Sequence, residues 1–467
     1  MSNCSSDPQR PHLGIGRRVG YAMGDFGCNF SWSLISSYLM FFMTDVARIN
    51  AATVGTMMLI SKAWDAVNDP VIGTLADRTN SRWGRYRPWI LFSCMPMLIL
   101  NVLCFTTFPS WSESARTIWA LATYFVLVLL YTMVNIPYSA MPAALTLKDE
   151  DRSGLASARM TGAFLAMTIL SFLTIRVVNW TGQGDAARGY QTAAIIFSLV
   201  ALPCFILCFL STREVVQVEY KKTEYRKMFK ALKGNTPVWL ILGAFVSWGF
   251  MQGGASLRMY YFSYNAGNSL MFANVMTIQS ITGMVGTLSL TWLIKRFSNK
   301  GKICMWAFII GAAANFICFF LPITTQAGVM LYYMITVFNG YSAGLVLASL
   351  FGMTPDTTEY TAYYYGVHAA GFISAFINFA FKLGTAFCTA AAGWVMAGLG
   401  YVPNVAQTPT VLAAINFSVH IFVGLTMVAA AICMYNYKLD KKVHADLCEK
   451  LERGELAPGV VAEIGGK

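Results

Sequence analysis

The feature that most restricts this chain is a succession of apolar runs, most of them twenty residues or longer. Each is long enough to cross, as a helix, a hydrocarbon layer about 30 Å thick. Barrel strands need far shorter segments, so the pattern argues against an outer-membrane barrel. Of the 467 residues, 56% belong to the hydrophobic set and only 12% are charged, with a mean hydropathy of +0.53. Ordinary soluble domains lie far from those values. The expected fold is an all-α membrane protein with twelve transmembrane helices, at about 20–43, 52–76, 88–108, 117–141, 155–178, 190–212, 237–263, 270–294, 302–323, 328–354, 364–398 and 410–436.

Charge placement orients these segments. Of the 34 Lys and Arg residues, only Arg48, Arg116, Arg176 and Arg188 fall in loops on one side. Lys62, Arg159, Arg258 and Lys382 fall in or at the edge of membrane segments, and the rest lie on the side carrying both termini. The positive-inside rule makes that side the cytoplasm. A net charge of +12 therefore reports topology; the basic residues form no soluble face for nucleic acid, and no nucleic-acid partner is expected. The first twenty residues lack an apolar core followed by a small-residue cleavage site, so the first helix is expected to direct insertion.

The longest polar inner loop, Ser211 to Pro237, divides the helices six and six. It defines an N-terminal tail (1–19), a first bundle (20–212), a central loop (213–236), a second bundle (237–437) and a C-terminal tail (438–467). Its basic stretch from Glu219 to Lys233 reads equally as an amphipathic interfacial helix or a solvated linker. Asp77 to Arg87 after the second helix has a short, basic, glycine-containing counterpart in Lys295 to Lys302 after the eighth. Matched positions of this kind suggest two pseudo-symmetric bundles of the sort that rock around a midplane site.

The charged residues within apolar runs carry the functional argument. Lys62, Asp65, Asn68 and Asp69 lie three or four residues apart and share a helix face. Charges rarely face lipid, so this stripe points to a polar cavity between helices. Asp25 and Asn29 share a face of the first helix; Asp25 suits a cap or ion pair, and Asn29 a ligand or a neighbouring helix. On the fourth helix Tyr131, Thr132 and Asn135 offer neutral oxygens at helical spacing before Pro137. Arg159, at the mouth of the fifth helix, would clamp a sugar hydroxyl or carboxylate, or snorkel to phosphates. Lys382 in the eleventh helix needs a counter-charge, for which the second-helix carboxylates are the candidates. Asp356 and Glu359, near the inner end of the tenth helix, would pair with basic loops.

Enzyme signatures are absent in any matching context. All the cysteines but Cys4 and Cys448 lie in apolar segments, and no Cys/His cluster shows zinc spacing. The four histidines, His12, His368, His420 and His444, are scattered and give a His-based metal site little support. No cofactor is expected.

Trp64-Asp65-Ala-Val-Asn68-Asp69-Pro70, Ser81-Arg-Trp-Gly-Arg-Tyr-Arg-Pro-Trp89, Asn135-Ile-Pro-Tyr138, Asp356-Thr-Thr-Glu-Tyr360, Lys382-Leu-Gly384 and Gly400-Tyr-Val-Pro-Asn404 together resemble the glycoside-pentoside-hexuronide:cation symporters of the major facilitator superfamily. The resemblance spans nearly the whole chain. It implies uptake of a sugar or glycoside with a cation, by alternating access through a bacterial inner membrane. Its implied cation site comprises Asp65, Asn68 and Asp69 with Thr132, where sodium or lithium is the alternative to a proton. The implied solute site comprises Asn29, Tyr131, Asn135, Ser139, Arg159, Asn378 and Lys382, and the implied gate Asp77, Arg85, Asp356 and Glu359.

The chain departs from the family's best-known member, the bacterial melibiose permease, at several of these positions. Asn29 and Asn135 replace aspartates, and Ser139 replaces a tryptophan. Ala362 and His368 stand where the inner gate has an acid and an arginine. Losing the fourth-helix carboxylate favours proton over sodium, which wants several hard oxygen ligands. It would also ease entry of a hexuronide, paired with Arg159 or Lys382, with a neutral pentoside or hexoside an equal alternative. Carriage of a lysolipid or other amphiphile and a non-transporting membrane sensor on the same scaffold are the other readings. The expected partners are the solute and membrane lipid, and the chain is expected to be a monomer.

Overall fold

The computed structural model of the protein describes residues 14–146, 149–214, 232, 234–297, 299–366, 370–439, 441–453 and 456–457. His368 and most of the Glu219 to Lys233 stretch lie outside the described residues. Every regular element among those described is helical.

The first six helices are α1 (Ile15–Phe41), α2 (Ala51–Arg78), α3 (Arg87–Cys104), α4 (Glu113–Leu145), α5 (Asp149–Gly182) and α6 (Ala186–Ser211). The next six are α7 (Thr236–Asn265), α8 (Ser269–Phe297), α9 (Lys300–Phe319), α10 (Gln326–Tyr365), α11 (Ala370–Gly398) and α12 (Pro409–Tyr435). A short helix, α13 (Lys441–Glu452), follows. Among the described residues nine helices are long and apolar enough to cross a membrane; α1, α2 and α8 fall outside that set. The α2 stripe shows the cause: intramembrane charges lower the mean hydropathy of a helix that spans nonetheless.

Several helices run past the ends that hydropathy suggests. α5 begins at Asp149 and α10 continues to Tyr365, because backbone hydrogen bonding does not stop where the apolar run does. The starts of α2, α4 and α6 are set by side-chain caps: Asn50 accepts from the Ala52 N–H, Ser112 from Ala115 and Asp185 from Ala187 and Arg188. Each satisfies donors that the first helical turn leaves without partners. Gly366, at φ +66°, ends α10 in the left-handed conformation that glycine reaches without a Cβ clash.

The chain forms two compact units. Unit 1 comprises Met1–Lys221 with Asn268–Thr277 and Tyr401–Ala406; unit 2 comprises Lys222–Gly267, Ile278–Gly400 and Gln407–Lys467. In unit 1, α1 packs on α5 and α6, α3 on α4 and α6, and α2 on α4. In unit 2, α7 packs on α11 and α12, and α9 on α10 and α12. In unit 1 α5 also packs on α6, and shifting the helix number by six carries each of the other pairings into its counterpart. The last pair, α8 with α10, is seen where the Thr287 hydroxyl donates to the Gly344 carbonyl at 3.1 Å. The repeat extends to backbone detail, since α1 and α7 both end in a π-helical turn, Phe42–Val46 and Tyr261–Asn265. These are the two pseudo-symmetric six-helix bundles.

Small residues bring the helices this close. A Cβ on Gly344 would lie 1.9 Å from the Gly283 carbonyl oxygen. Between membrane helices, where water exclusion supplies little drive, such backbone approach maximises dispersion contacts. Large apolar side chains such as Leu199, Leu288 and Phe320 remain exposed, as surfaces meant for lipid should.

Candidate functional site

In unit 1 the charged stripe of α2 faces α4. Asp65 is 4% and Asn68 6% exposed, and Asp69 and Lys62 are half-buried. The Thr132 hydroxyl of α4 donates to Asp65 Oδ1 at 3.0 Å and lies 3.1 Å from the Val128 carbonyl. The buried Asn68 side-chain N–H group has no hydrogen-bond partner, an arrangement that costs free energy unless a further group arrives. Pro70 lies inside α2, and its missing N–H deprives the Ala66 carbonyl of its helical donor. Carboxylate, hydroxyl and a freed carbonyl thus gather around one stretch of α2.

α1 adds the next layer. Arg159 Nε donates to Asp25 Oδ1 at 3.0 Å, with side-chain exposures of 31% and 7%. The Asn29 amide donates to the Asp25 main-chain oxygen at 2.8 Å and to Oδ2 at 3.1 Å. Arg159 also lies over the Tyr138 ring, 5.3 Å from its centroid, and that ring stacks on Tyr21 at 4.6 Å. Because α5 starts at Asp149, Arg159 stands about three turns inside the helix, deeper than its distance from the polar loop suggested. Asp25 takes the ion-pair role considered for it.

An aromatic wall joins the two layers. Trp32 stacks on Tyr131 with centroids 4.3 Å apart, and Lys62 Nζ lies 4.5 Å from the Trp32 centroid. Asn135 donates to the Tyr131 hydroxyl at 3.3 Å. Sequence reasoning missed Trp32, although it lies three residues beyond Asn29 and seven beyond Asp25, on the same helix face. Ser139 is exposed on α4. In unit 2, α11 carries Asn378, which is exposed, and Lys382, which is half-buried.

The expected gate residues each have partners within their own unit. Asp77 accepts from the Tyr86 hydroxyl at 2.8 Å; burial, together with that carboxylate, pushes the Tyr86 hydroxyl up to about 12. The backbone N–H groups of Arg85, Tyr86 and Arg87 all donate to Glu214, at 2.7, 2.8 and 3.0 Å. Glu214 thereby caps α3 with a full negative charge, a role invisible in sequence because more than a hundred residues intervene. In unit 2 Asp356 accepts from Lys300 Nζ through both oxygens, at 3.0 and 2.8 Å. Glu359 meets His444 and Cys448 of α13 rather than a basic loop. Ala362 is buried.

Near the other end of α1, Asp45 forms a second buried cluster within unit 1. It accepts from the Tyr401 hydroxyl at 2.7 and 2.8 Å and from Thr44 at 2.6 Å, and its main-chain oxygen accepts from Asn404 at 2.5 Å. The Gly400 to Asn404 motif is thus explained by Asp45, which sequence reasoning did not single out.

Residues 20–441 match the family profile described as MFS/sugar transport protein. The chain is 32% identical over 447 residues to the isoprimeverose transporter of Lactiplantibacillus pentosus, covering 93% of this chain and 91% of that one. It is 33% identical over 425 residues to the inner membrane symporter YicJ of Escherichia coli, covering 90% and 89%. Among solved structures, a bacterial homologue of the human lysosomal transporter Spinster superposes with a TM-score of 0.60 at 13% identity, covering 95% of this chain and 98% of that one. The helical repeat and the polar, charge-paired interior describe a membrane carrier. This chain belongs to the MFS/sugar transport protein family of the major facilitator superfamily, and is a transport protein rather than an enzyme.

Proposed function

We propose that the protein imports a sugar or glycoside by cation symport through a bacterial inner membrane, by alternating access, as a monomer with both termini in the cytoplasm. Family membership supports the transport of a sugar. The observation that carries the coupling is the Asp65–Thr132 contact. A buried carboxylate with a hydroxyl partner is expensive to keep in a membrane helix unless it works. Thr132 stands within hydrogen-bond reach of both Asp65 and the Val128 carbonyl. When Asp65 is ionised, the hydroxyl donates to it. When Asp65 takes up a proton, the acid donates to Thr132, which turns its own hydrogen to Val128. Both protonation states are satisfied without moving a heavy atom, so we favour the proton over Na+ or Li+. Asp65, Asn68, Asp69 and Thr132 form the proposed coupling site.

The proposed solute site uses Asn29, Tyr131, Asn135, Ser139 and Arg159 of unit 1 with Asn378 and Lys382 of unit 2. The Arg159 charge is already matched by Asp25, which favours a neutral hexoside or pentoside over a hexuronide. Asp77, Arg85, Asp356 and Glu359 are proposed to open and close the inner side through the partners described above.

Counterflow in proteoliposomes across pentosides, galactosides and hexuronides, under separate proton and sodium gradients, tests this reading. Exchange of a neutral glycoside, driven by the proton gradient, is expected. No exchange of any sugar would overturn it; inhibition by lysolipid alone would indicate an amphiphile carrier, and binding without counterflow a sensor.

A further inference from the structure

α13 packs against α10, and a set of side chains at that contact has no part in solute binding. His444 and Cys448 lie one turn apart on α13 and so share a face. Opposite them Glu359 projects from α10. The Cys448 Sγ lies 3.2 Å from Glu359 Oε2 and 3.7 Å from His444 Nε2. His444 Nε2 contacts Glu359 Oε2 and stands 3.7 Å from Asp356 Oδ1. The donor atoms of Glu359, His444 and Cys448 all fall within 4.8 Å of one another.

The spacing has a chemical meaning. A tetrahedral zinc ion binds thiolate sulfur at about 2.3 Å and imidazole nitrogen or carboxylate oxygen at about 2.0–2.2 Å. At tetrahedral angles those bond lengths separate the donors by about 3.3–3.6 Å. The two sulfur separations, 3.2 and 3.7 Å, bracket that range, whereas His444 Nε2 and Glu359 Oε2 touch and must part by about 1 Å to admit an ion. Thiolate and imidazole select a borderline-soft ion of the zinc type, whereas calcium and magnesium want oxygen alone. A thiolate and one carboxylate also balance two positive charges. Asp356 remains with Lys300 and adds negative charge nearby.

We propose that Glu359, His444 and Cys448 form a site for a zinc-type divalent transition-metal ion, with water as the fourth ligand, which fastens the C-terminal helix to the end of α10. The ion takes the place of the Cys448 thiol proton, which leaves to solvent, and of any proton shared between His444 and Glu359; no redox step is involved. The histidines and cysteines escape notice in sequence because a His-x-x-x-Cys pair is only half a site. Its third ligand lies 85 residues from His444.

Cobalt(II), a spectroscopic stand-in for zinc, gives the direct test. Titrated into the metal-stripped full-length protein in detergent, one equivalent should produce a thiolate-to-cobalt charge-transfer band and tetrahedral ligand-field bands, both erased by one equivalent of zinc. C448S should remove the charge-transfer band, and H444Q and E359Q should each weaken cobalt binding at least tenfold. Absence of the band in the wild-type protein, or its survival in C448S, overturns the proposal. A second measurement needs no variant: zinc should slow maleimide labelling of Cys448, followed by peptide mass spectrometry, at least tenfold. An unchanged labelling rate would mean that the cluster holds only its own hydrogen bonds.

Discussion

Breaking the Arg159–Asp25 pair separates its structural role from its role in selectivity. Two unit charges at the observed 3.0 Å attract by about 5.5 kcal/mol at an effective dielectric of about 20. Desolvation takes back a large part, and removing one partner of a buried pair costs about 3–5 kcal/mol because the other charge is stranded. Arg159 is partly exposed, so the low end applies: about 3 kcal/mol for either D25N or R159Q. For a unit of about 240 residues that lowers the melting temperature by roughly 6–12 °C. The double variant D25N/R159Q removes both charges and should recover about 2 kcal/mol relative to the sum of the single losses, the scale of charge-assisted hydrogen bonds. Melting in detergent, followed by tryptophan fluorescence, measures all four proteins. Counterflow supplies the second readout, since D25N releases the Arg159 guanidinium and should shift preference from neutral glycosides towards hexuronides about tenfold. Single variants as stable as wild type, or strict additivity in the double, would refute the pair as a balanced buried unit. An unchanged preference in D25N would refute its link to neutral cargo.

Asp65→Asn should retain counterflow yet abolish uptake driven by an imposed proton gradient, while Thr132→Val, losing one hydrogen bond of about 1 kcal/mol, should weaken proton-driven uptake about fivefold; equal effects on counterflow and driven uptake would sever Asp65 from coupling. Gly344→Ala places a Cβ against the Gly283 carbonyl and should cost about 1–3 kcal/mol, lowering the melting temperature, whereas Gly352→Ala, inside α10 with open space around its Cβ, should gain about 0.5–1 kcal/mol and melt slightly above wild type. Glu214→Ala leaves the three N–H groups at the start of α3 without their charged acceptor and should destabilise by about 1.5–3 kcal/mol, with Glu214→Gln milder; limited proteolysis between α2 and α3 would register the loosened turn.

How far the sequence could be read depended on the distance over which each interaction acts. Helix number was legible because lipid imposes a local rule: every residue in a span must be apolar or have a reason not to be. The α2 stripe was legible for the same reason, as helical spacing puts Lys62, Asp65, Asn68 and Asp69 on one side without reference to any other element. Thr132 and Tyr131 could be proposed from their own helix and the family resemblance, but not that Thr132 turns to Asp65 while Tyr131 stacks on Trp32.

Partner choice belonged to the tertiary structure. Arg159 offered two readings in sequence, a clamp or a snorkelling side chain, and only the packing of α5 on α1 directs it to Asp25. Glu214 stands out only in the fold, where the turn after α2 brings three amide hydrogens to it, and Glu359 found His444 and Cys448 in place of a basic loop. The sequence alone determined which segments enter the membrane and which side chains are too polar to face lipid, since both follow from transfer free energies summed along a single helix. Which polar group satisfies which is settled only when helices far apart in the chain come within about 3 Å, where hydrogen bonds and ion pairs act and where no periodicity in the sequence records the neighbour.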